Sequence, residues 1–313
     1  MYKVGIIGSA GYISGVYIEA LNLLEQQHSD LKLVCGVDIK NPGFDLKTGL
    51  RVYSSMEEMQ TRCPEVNAVC ILTPPETHLG LAKQAAQLGM NVLVEKPPAL
   101  SYDECQEMVQ EFEAGTATLF LAWHAQYAAG VEELMQRSWG QTLESFSIQY
   151  EENVKDYRLA GELKDFSPGA LWDSGINAIA VMTKLWGTDP LSVENARLYV
   201  SSRGGYDVGS YVAFSKGALR QEWLSSQKQR VLQMNTTDGT SYKLDIHKGE
   251  LFVDGQKVCC EKQAHTMLGE YTRQCEHWLR CMRQGQSYLS IEPVQVIEDI
   301  FANSELVERR AAA

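Results

Sequence analysis

Val92-Leu93-Val94-Glu95-Lys96-Pro97-Pro98-Ala99-Leu100 decides how the rest of the chain is read. The run 91–94 is short and apolar, follows Gly89 and is stopped by a double proline, which is the pattern of a buried strand. Proline gives no hydrogen bond to a ladder and pushes the residue before it out of helical space, so such a strand ends abruptly. Glu95 and Lys96 are then left at the carboxyl edge of a sheet, where open α/β folds place their ligands. A lysine on two prolines has a fixed backbone beneath it, so its ammonium can be aimed. The bland alternative is a solvated surface Glu-Lys pair, the commoner fate of such neighbours.

Working outward, the chain before this stretch alternates strands and helices. Val4-Gly5-Ile6-Ile7 reads as a strand ending in Gly8-Ser9-Ala10-Gly11-Tyr12. An amphipathic helix follows to about Leu24, with Val16, Ala20, Leu21 and Leu24 at helical spacing. Strand, glycine turn and helix is the setting of a dinucleotide fingerprint, in which backbone N–H groups and a helix N-terminus meet a pyrophosphate. Gly8, Ala10 and Ile13 fill its three places, and Gly8, Gly11 and Gly15 form a second possible register. A simple tight turn is the other reading. The strand Leu31–Val37 ends in Asp38, whose carboxylate suits the ribose hydroxyls of NAD and would repel the 2′-phosphate of NADP. Lys40 and Lys47 keep NADP open, and Asp38 can equally be an ordinary turn residue.

A weak strand at Arg51-Val52-Tyr53 precedes a helix opened by Ser54 or Ser55, each with Glu three residues on. The next strand, Asn67–Leu72, runs into Thr73-Pro74-Pro75-Glu76-Thr77-His78, where Thr73 and Glu76 again have capping-box spacing and proline suits a first turn. This corner should face the same crevice as Gly8 and Lys96. His78 is either on the cofactor side or a first-turn polar residue. A helix Leu79–Leu88, one starting at Ser101 and a strand at Thr118–Ala122 complete a doubly wound parallel sheet, buried on both faces, over residues 1–123.

After Trp123-His124 the pattern changes. A helix from Ala128 to Arg137 and a strand Leu143–Tyr150 lead through a polar segment ending at Tyr157 to an apolar helix, Gly169–Trp186. That helix carries Asp173 and Asn177 at i,i+4 spacing. A buried carboxylate needs a cation or several donors, and Lys96 is the candidate cation; a structural Asp–Asn pair is the alternative. The runs Ala196–Ser201, Gly209–Phe214, Leu219–Leu224 and Val231–Met234, with turns at Gly204-Gly205, Lys216-Gly217 and Asp238-Gly239, predict an α+β domain over 124–310. Its open, predominantly antiparallel sheet is covered on one face by the Asp173 helix. The other face wants cover, which suggests a homodimer through that sheet. Helices are expected from Met267 to Gln284 and between Glu292 and Arg309. Ala311-Ala312-Ala313 reads as a cloning scar.

A chain of 313 residues suits two domains. The net charge of −12 argues against nucleic-acid or anionic-membrane partners, which need a basic footprint. No apolar run approaches the roughly 20 residues of a membrane span, and Met1-Tyr2-Lys3 leads straight into a strand. Eight cysteines without a CxxC pair point to free thiols in a reducing cytoplasm, and the histidines show no metal-ligand spacing.

Glu95-Lys96-Pro97 after an apolar strand resembles the signature of the Gfo/Idh/MocA oxidoreductases, and the resemblance covers essentially the whole chain. Pro74, Pro75 and His78 resemble that family's Pro-rich corner and histidine. Leu119-Phe120-Leu121-Ala122-Trp123-His124 resembles the Trp-His of its aldose 1-dehydrogenases, which act on D-galactose and L-arabinose. Asp173-Ser174-Gly175-Ile176-Asn177-Ala178 resembles their Asp-Pro-Gly-Ile-Asn-Ala. The resemblance implies that Lys96, Asp173 and Asn177 are catalytic and that His124 and Glu152 bind sugar hydroxyls. Tyr157 stands where those enzymes carry tryptophan, Arg230 lies near another of their aromatic positions, and Arg158–Phe166 departs from their pattern. Both Tyr157 and Arg230 are candidate substrate contacts. The cofactor crevice would be lined by Gly8, Ala10, Gly11, Tyr12, Ile13, Asp38, Thr73, Pro75, His78 and Glu95. The implied reaction is hydride transfer from a sugar carbinol, aldose C1 to lactone, to NAD or NADP, with no metal. A sugar acid, favoured by Arg158, Lys164 and Arg230, an inositol, a keto or imino compound, and a sugar-sensing regulator that binds dinucleotide without turnover are the alternatives.

Overall fold

Strands buried on both faces and joined by amphipathic helices fix the architecture of the N-terminal part. The computed structural model describes residues 1–113, 115–153, 169–201, 206–260 and 266–309. Tyr157, Arg158 and Lys164, the segment containing them, and the Gly204-Gly205 turn lie outside the described residues. The chain divides into two compact units, Met1–His124 with Thr266–Ile291, and Ala125–His265 with Glu292–Ala313.

The first unit holds a seven-stranded sheet in the order β3-β4-β2-β1-β5-β6-β7. Its strands are β1 (Tyr2–Ile7), β2 (Leu31–Val37), β3 (Gly43–Asp45), β4 (Leu50–Tyr53), β5 (Ala68–Ile71), β6 (Asn91–Val94) and β7 (Leu119–Leu121). All the neighbours run parallel except β3, which turns back antiparallel on β4. The order reverses between β1 and β5, and the carboxyl ends of those strands frame the crevice of a Rossmann sheet. Helices α1 (Ser14–Gln27), α2 (Met56–Arg62), α3 (His78–Gln87) and α4 (Tyr102–Glu113) connect them.

One capping expectation fails. Thr73 and Glu76 form no capping box: the chain makes a short 3₁₀ turn over Pro75–Thr77, and α3 begins only at His78. Pro74 is held extended (φ −59°, ψ 143°), and the Thr73 hydroxyl bonds that of Thr77 at 2.6 Å.

The expected boundary at 123/124 puts everything later into the second domain, but α7 (Met267–Gln284) belongs to the first unit and packs on α1. Its buried stripe includes Tyr271, Gln274, Cys275, Trp278, Leu279 and Met282, the spacing of one helical face. Tyr271 meets Tyr17 of α1 edge-on at 4.9 Å, and Arg283 pairs with Asp30.

The second unit is built on a nine-stranded sheet, ordered β15-β14-β13-β12-β8-β11-β10-β9-β16. Its strands are β8 (Leu143–Asn153), β9 (Val193–Ser201), β10 (Asp207–Phe214), β11 (Gly217–Glu222), β12 (Leu224–Thr236), β13 (Ser241–Asp245), β14 (Glu250–Val253), β15 (Gln256–Cys260) and β16 (Ser304–Arg309). Pairing is antiparallel except between β8 and β11 and between β9 and β16. Phe146, Ile148, Tyr150 and Glu152 alternate along β8 on its buried face, against which α6 (Ile176–Trp186) packs. The helix expected between Glu292 and Arg309 stops short: α8 (Glu292–Ala302) is followed by β16, which adds in parallel to the edge of β9 and satisfies that strand's open backbone groups. Among the described residues no helix is long and apolar enough to cross a membrane.

Candidate functional site

The first half of the site forms where β1 ends. Gly8 has φ +85°, and a Cβ there would lie 3.0 Å from Thr73 Cγ2 and 3.1 Å from the Leu72 carbonyl oxygen. Only glycine lets the turn press this closely on the exit from β5. A Cβ on Gly11 would stand 3.1 Å from the Gly8 oxygen, whereas one on Gly15 meets nothing within 4 Å. Gly8 and Gly11 are therefore the glycines this loop requires. Tyr12 is 84% exposed on its crest, and Ile13 is an N-cap without a side-chain cap; the Ser14 and Val16 N–H groups bond the Gly11 and Ile13 carbonyl oxygens at 3.3 and 3.1 Å.

Asp38 joins this loop. Its Oδ2 accepts from the Ala10 N–H at 3.2 Å, and its Oδ1 accepts from the N–H groups of Lys40 and Asn41 at 2.9 and 3.0 Å. Asp38 is thus a turn residue, and it also fixes the glycine loop to the end of β2. The exposed glycine cradle with its uncapped helix and adjoining carboxylate fits a dinucleotide: Gly8 to Ile13 would hold the pyrophosphate and Asp38 the ribose.

Lys96 leaves the end of β6 half-buried, joined to Pro97 by a cis peptide bond. His78 is fully buried beneath this turn. Its Nδ1 lies 3.1 Å from the Pro97 oxygen and 3.3 Å from that of Pro98, and its Nε2 lies 2.7 Å from the Thr73 oxygen. The imidazole ties the corner after β5 to the turn bearing Lys96, and burial lowers its pKa. Pro75 opens the 3₁₀ turn beside it.

Glu95 faces the other way. Its carboxylate is buried and accepts from the hydroxyls of Tyr17 (2.5 Å) and Tyr271 (3.2 Å), while Gln274 Nε2 donates to the Tyr17 oxygen at 2.9 Å. Burial, and after it the Glu95 charge, hold the Tyr17 phenol well above its ordinary pKa, so it remains a donor. Glu95 therefore anchors the strand end under Lys96, in place of the cofactor contact expected from the sequence. Tyr17, Tyr271 and Gln274 were not singled out by the sequence, and the buried stripes of α1 and α7 were the only trace of them. His124 stacks on Tyr271 (4.9 Å, 13°), and its Nδ1 lies 3.0 Å from Glu270 Oε2.

The second unit carries the other polar residues. Asp173 lies in a π turn, Leu171–Gly175, that runs into α6, and Asn177 follows one turn later. Asn177 Nδ2 donates to the Asp173 carbonyl oxygen at 3.2 Å; its Oδ1 is buried and has no hydrogen-bond partner among the described residues. Glu152 is 2% exposed and accepts from Arg230 Nη2 at 3.0 Å, and the Arg230 guanidinium lies over the Tyr150 ring, 5.0 Å from its centroid. Among the described residues no group of three or more His, Cys, Asp or Glu side chains could hold a metal ion.

Residues 2–122 match the model of the Gfo/Idh/MocA oxidoreductase family, NAD-binding Rossmann fold. The chain as a whole is similar to sugar dehydrogenases. More particularly, it is 27% identical over 278 residues to galactose 1-dehydrogenase of Pseudomonas fluorescens, covering 83% of this chain and 88% of that one. Its fold matches that of D-galactose-1-dehydrogenase from Rhizobium etli with a TM-score of 0.85 at 20% identity, over 99% of this chain and 97% of that one. It also matches levoglucosan dehydrogenase in complex with NADH and levoglucosan, with a TM-score of 0.79 at 17% identity and 96% of each chain covered.

Proposed function

We propose that this protein is an NAD-dependent sugar dehydrogenase that oxidises a small neutral aldose at C1 to the lactone. The observation that carries the reading is the polar pair on the buried helix, Asp173 with Asn177, whose Oδ1 is a buried acceptor with no donor among the described residues. A sugar hydroxyl is the donor that fits, since leaving a buried acceptor unmet is costly. The likeness to galactose 1-dehydrogenase along most of both chains supports the same substrate class.

In this reading the catalytic groups are Lys96, Asp173 and Asn177. Oxidation would break the C1–H and O–H bonds: the hydride would leave to bound NAD, and the O–H proton would be taken by Asp173, with Lys96 polarising the oxygen or relaying the proton. NAD supplies the hydride acceptor. Gly8, Ala10, Gly11, Tyr12, Ile13, Asp38, Thr73 and Pro75 line its site, with His78 beneath them. His124, Glu152, Tyr157 and Arg230 contact the sugar. Because Arg230 is already paired with Glu152, its charge is compensated within the protein, which favours a neutral aldose over a sugar acid. The reading includes a cytoplasmic homodimer formed through the nine-stranded sheet.

Initial rates with D-galactose, L-arabinose, sugar acids and inositols, each with NAD and with NADP, test the proposal beside cofactor titration. Lys96→Met should remove most turnover and leave NAD affinity within about twofold, and Asp173→Asn should do the same. The double variant should lose no more than the worse single one, as groups acting on one proton do. Binding of NAD and a sugar without turnover would make the protein a sensor, and turnover confined to sugar acids would change the substrate class.

A further inference from the structure

Ser174 stands where the aldose 1-dehydrogenase pattern carries proline, next to Asp173 in the π turn. A proline would stiffen that turn through its ring; serine cannot. The structure shows what this chain has instead. Ser174 is 4% exposed, and its hydroxyl is fully used. The Oγ donates to the Ala170 carbonyl oxygen at 3.1 Å and accepts from Gln221 Nε2 and Trp223 Nε1, both at 2.9 Å. One proton given and two lone pairs filled is the whole capacity of a hydroxyl. The donors come from the sheet, at the end of β11 and just beyond it, and both are buried, Gln221 at 1% and Trp223 at 0%. Gln221 is itself steadied by the Ser210 hydroxyl, 3.4 Å from its Oε1.

The start of the same turn is held separately. Asp207, at the head of β10, accepts from the Leu171 N–H at 2.7 Å through Oδ2. Gly169, with φ +109°, leaves room for it, since a Cβ there would lie 2.0 Å from Asp207 Oδ1. A π turn carries one residue more than an α turn and is easily reset to regular helix, which would swing residue 173 around the axis.

We infer that Ser174, held by Gln221 and Trp223, is a positioning residue that fixes the direction of the Asp173 carboxylate. The inference rests on the proposed role of Asp173 in proton transfer.

The test uses Ser174→Ala, Gln221→Met and Trp223→Phe in the full chain, with D-galactose and L-arabinose as probes and NAD as cofactor. Each variant should lower kcat roughly 10- to 100-fold, the scale of a misplacement near 1 Å, with NAD affinity unchanged. The acid-limb midpoint of kcat/KM should move, because the carboxylate's surroundings change. Amide hydrogen exchange over residues 170–177 should quicken. An undiminished kcat, or a fall with the midpoint unmoved, overturns the inference. If the wild type turns over neither sugar, the proposed function fails by itself, and exchange decides: faster exchange in the variants sustains the positioning role, and unaltered exchange overturns it. Should Ser174→Ala fail to fold, Gln221→Met and Trp223→Phe carry the same readings.

Discussion

Asp38 receives the Ala10 N–H and closes the turn 38–41, and the same carboxylate is the one proposed for the ribose. Replacement therefore acts on both cofactor choice and loop shape. Asp38→Ser keeps a short acceptor and removes the charge, so NAD affinity should fall by about tenfold, the worth of one charge-assisted hydrogen bond. NADP affinity should rise or hold, narrowing the gap, as read by fluorescence titration with each dinucleotide. A wild type that prefers NADP several-fold would remove Asp38 from the ribose. Gly8, Gly11 and Asp38 were legible in the sequence because the backbone geometry of a strand-turn-helix dictates residue type. Glu95 was not. Its partners Tyr17 and Tyr271 are 78 and 176 residues away, and nothing local distinguishes a carboxylate aimed at a ligand from one aimed at two phenols. His78 was visible as a polar residue at a corner. Its task of tying the Thr73 and Pro97 carbonyls depends on β5 and β6 being neighbours, which only the sheet reveals.

The run from Gly169 to Trp186 was readable as a buried helix from its apolar length alone, yet the π turn inside it was not. What shapes that turn comes from β10 and β11, whose contributions to it have no periodic signature. Asp207 shows the consequence for stability. Burial pushes its carboxyl up to about 7, partly offset by the backbone N–H groups it accepts. Because the folded value lies above the unfolded one of about 3.9, the folded state holds the proton more tightly. That stabilisation is fully present below about pH 4 and is lost as pH rises through 7, on the order of a few kcal/mol in total. Asp207→Asn keeps an acceptor and abolishes the charge. Its melting temperature relative to wild type should therefore rise steadily between pH 5 and pH 8, as measured by calorimetry. A constant difference across that range would mean that Asp207 does not titrate there. The misread C-terminus has a similar origin, since the apolar stripe of α8 gives no sign of where it ends, and β16 exists because β9 offers it an edge.

Alternation of strands and helices made the first sheet foreseeable and strand-like runs broken by turns the second, whereas the return of the chain to the first unit was not, because an amphipathic stripe says that a helix is buried without saying where. Placing α7 on α1 makes the first unit discontinuous in sequence. A fragment ending at His124 would leave Tyr17, the Glu95 carboxylate and the apolar face of α1 without Tyr271, Gln274 and Trp278. It should melt without cooperativity or aggregate, while the same fragment with residues 266–291 grafted on by a flexible linker should unfold in one transition, as followed by circular dichroism in urea. An independently cooperative 1–124 fragment would show α7 to be dispensable. The discontinuity also bears on the making of the protein. When residue 124 leaves the ribosome, the helix that completes its sheet lies about 140 residues away, on the order of ten seconds of synthesis. Throughout that interval the nascent N-terminal half carries a bare α1 and a glutamate that lacks one of its two phenol donors. We predict that ribosome-bound chains stalled before residue 266 remain protease-sensitive and recruit chaperones, and that the first stall length with α7 outside the exit tunnel becomes resistant. Resistance already present at the shorter lengths would show that the sheet closes without waiting.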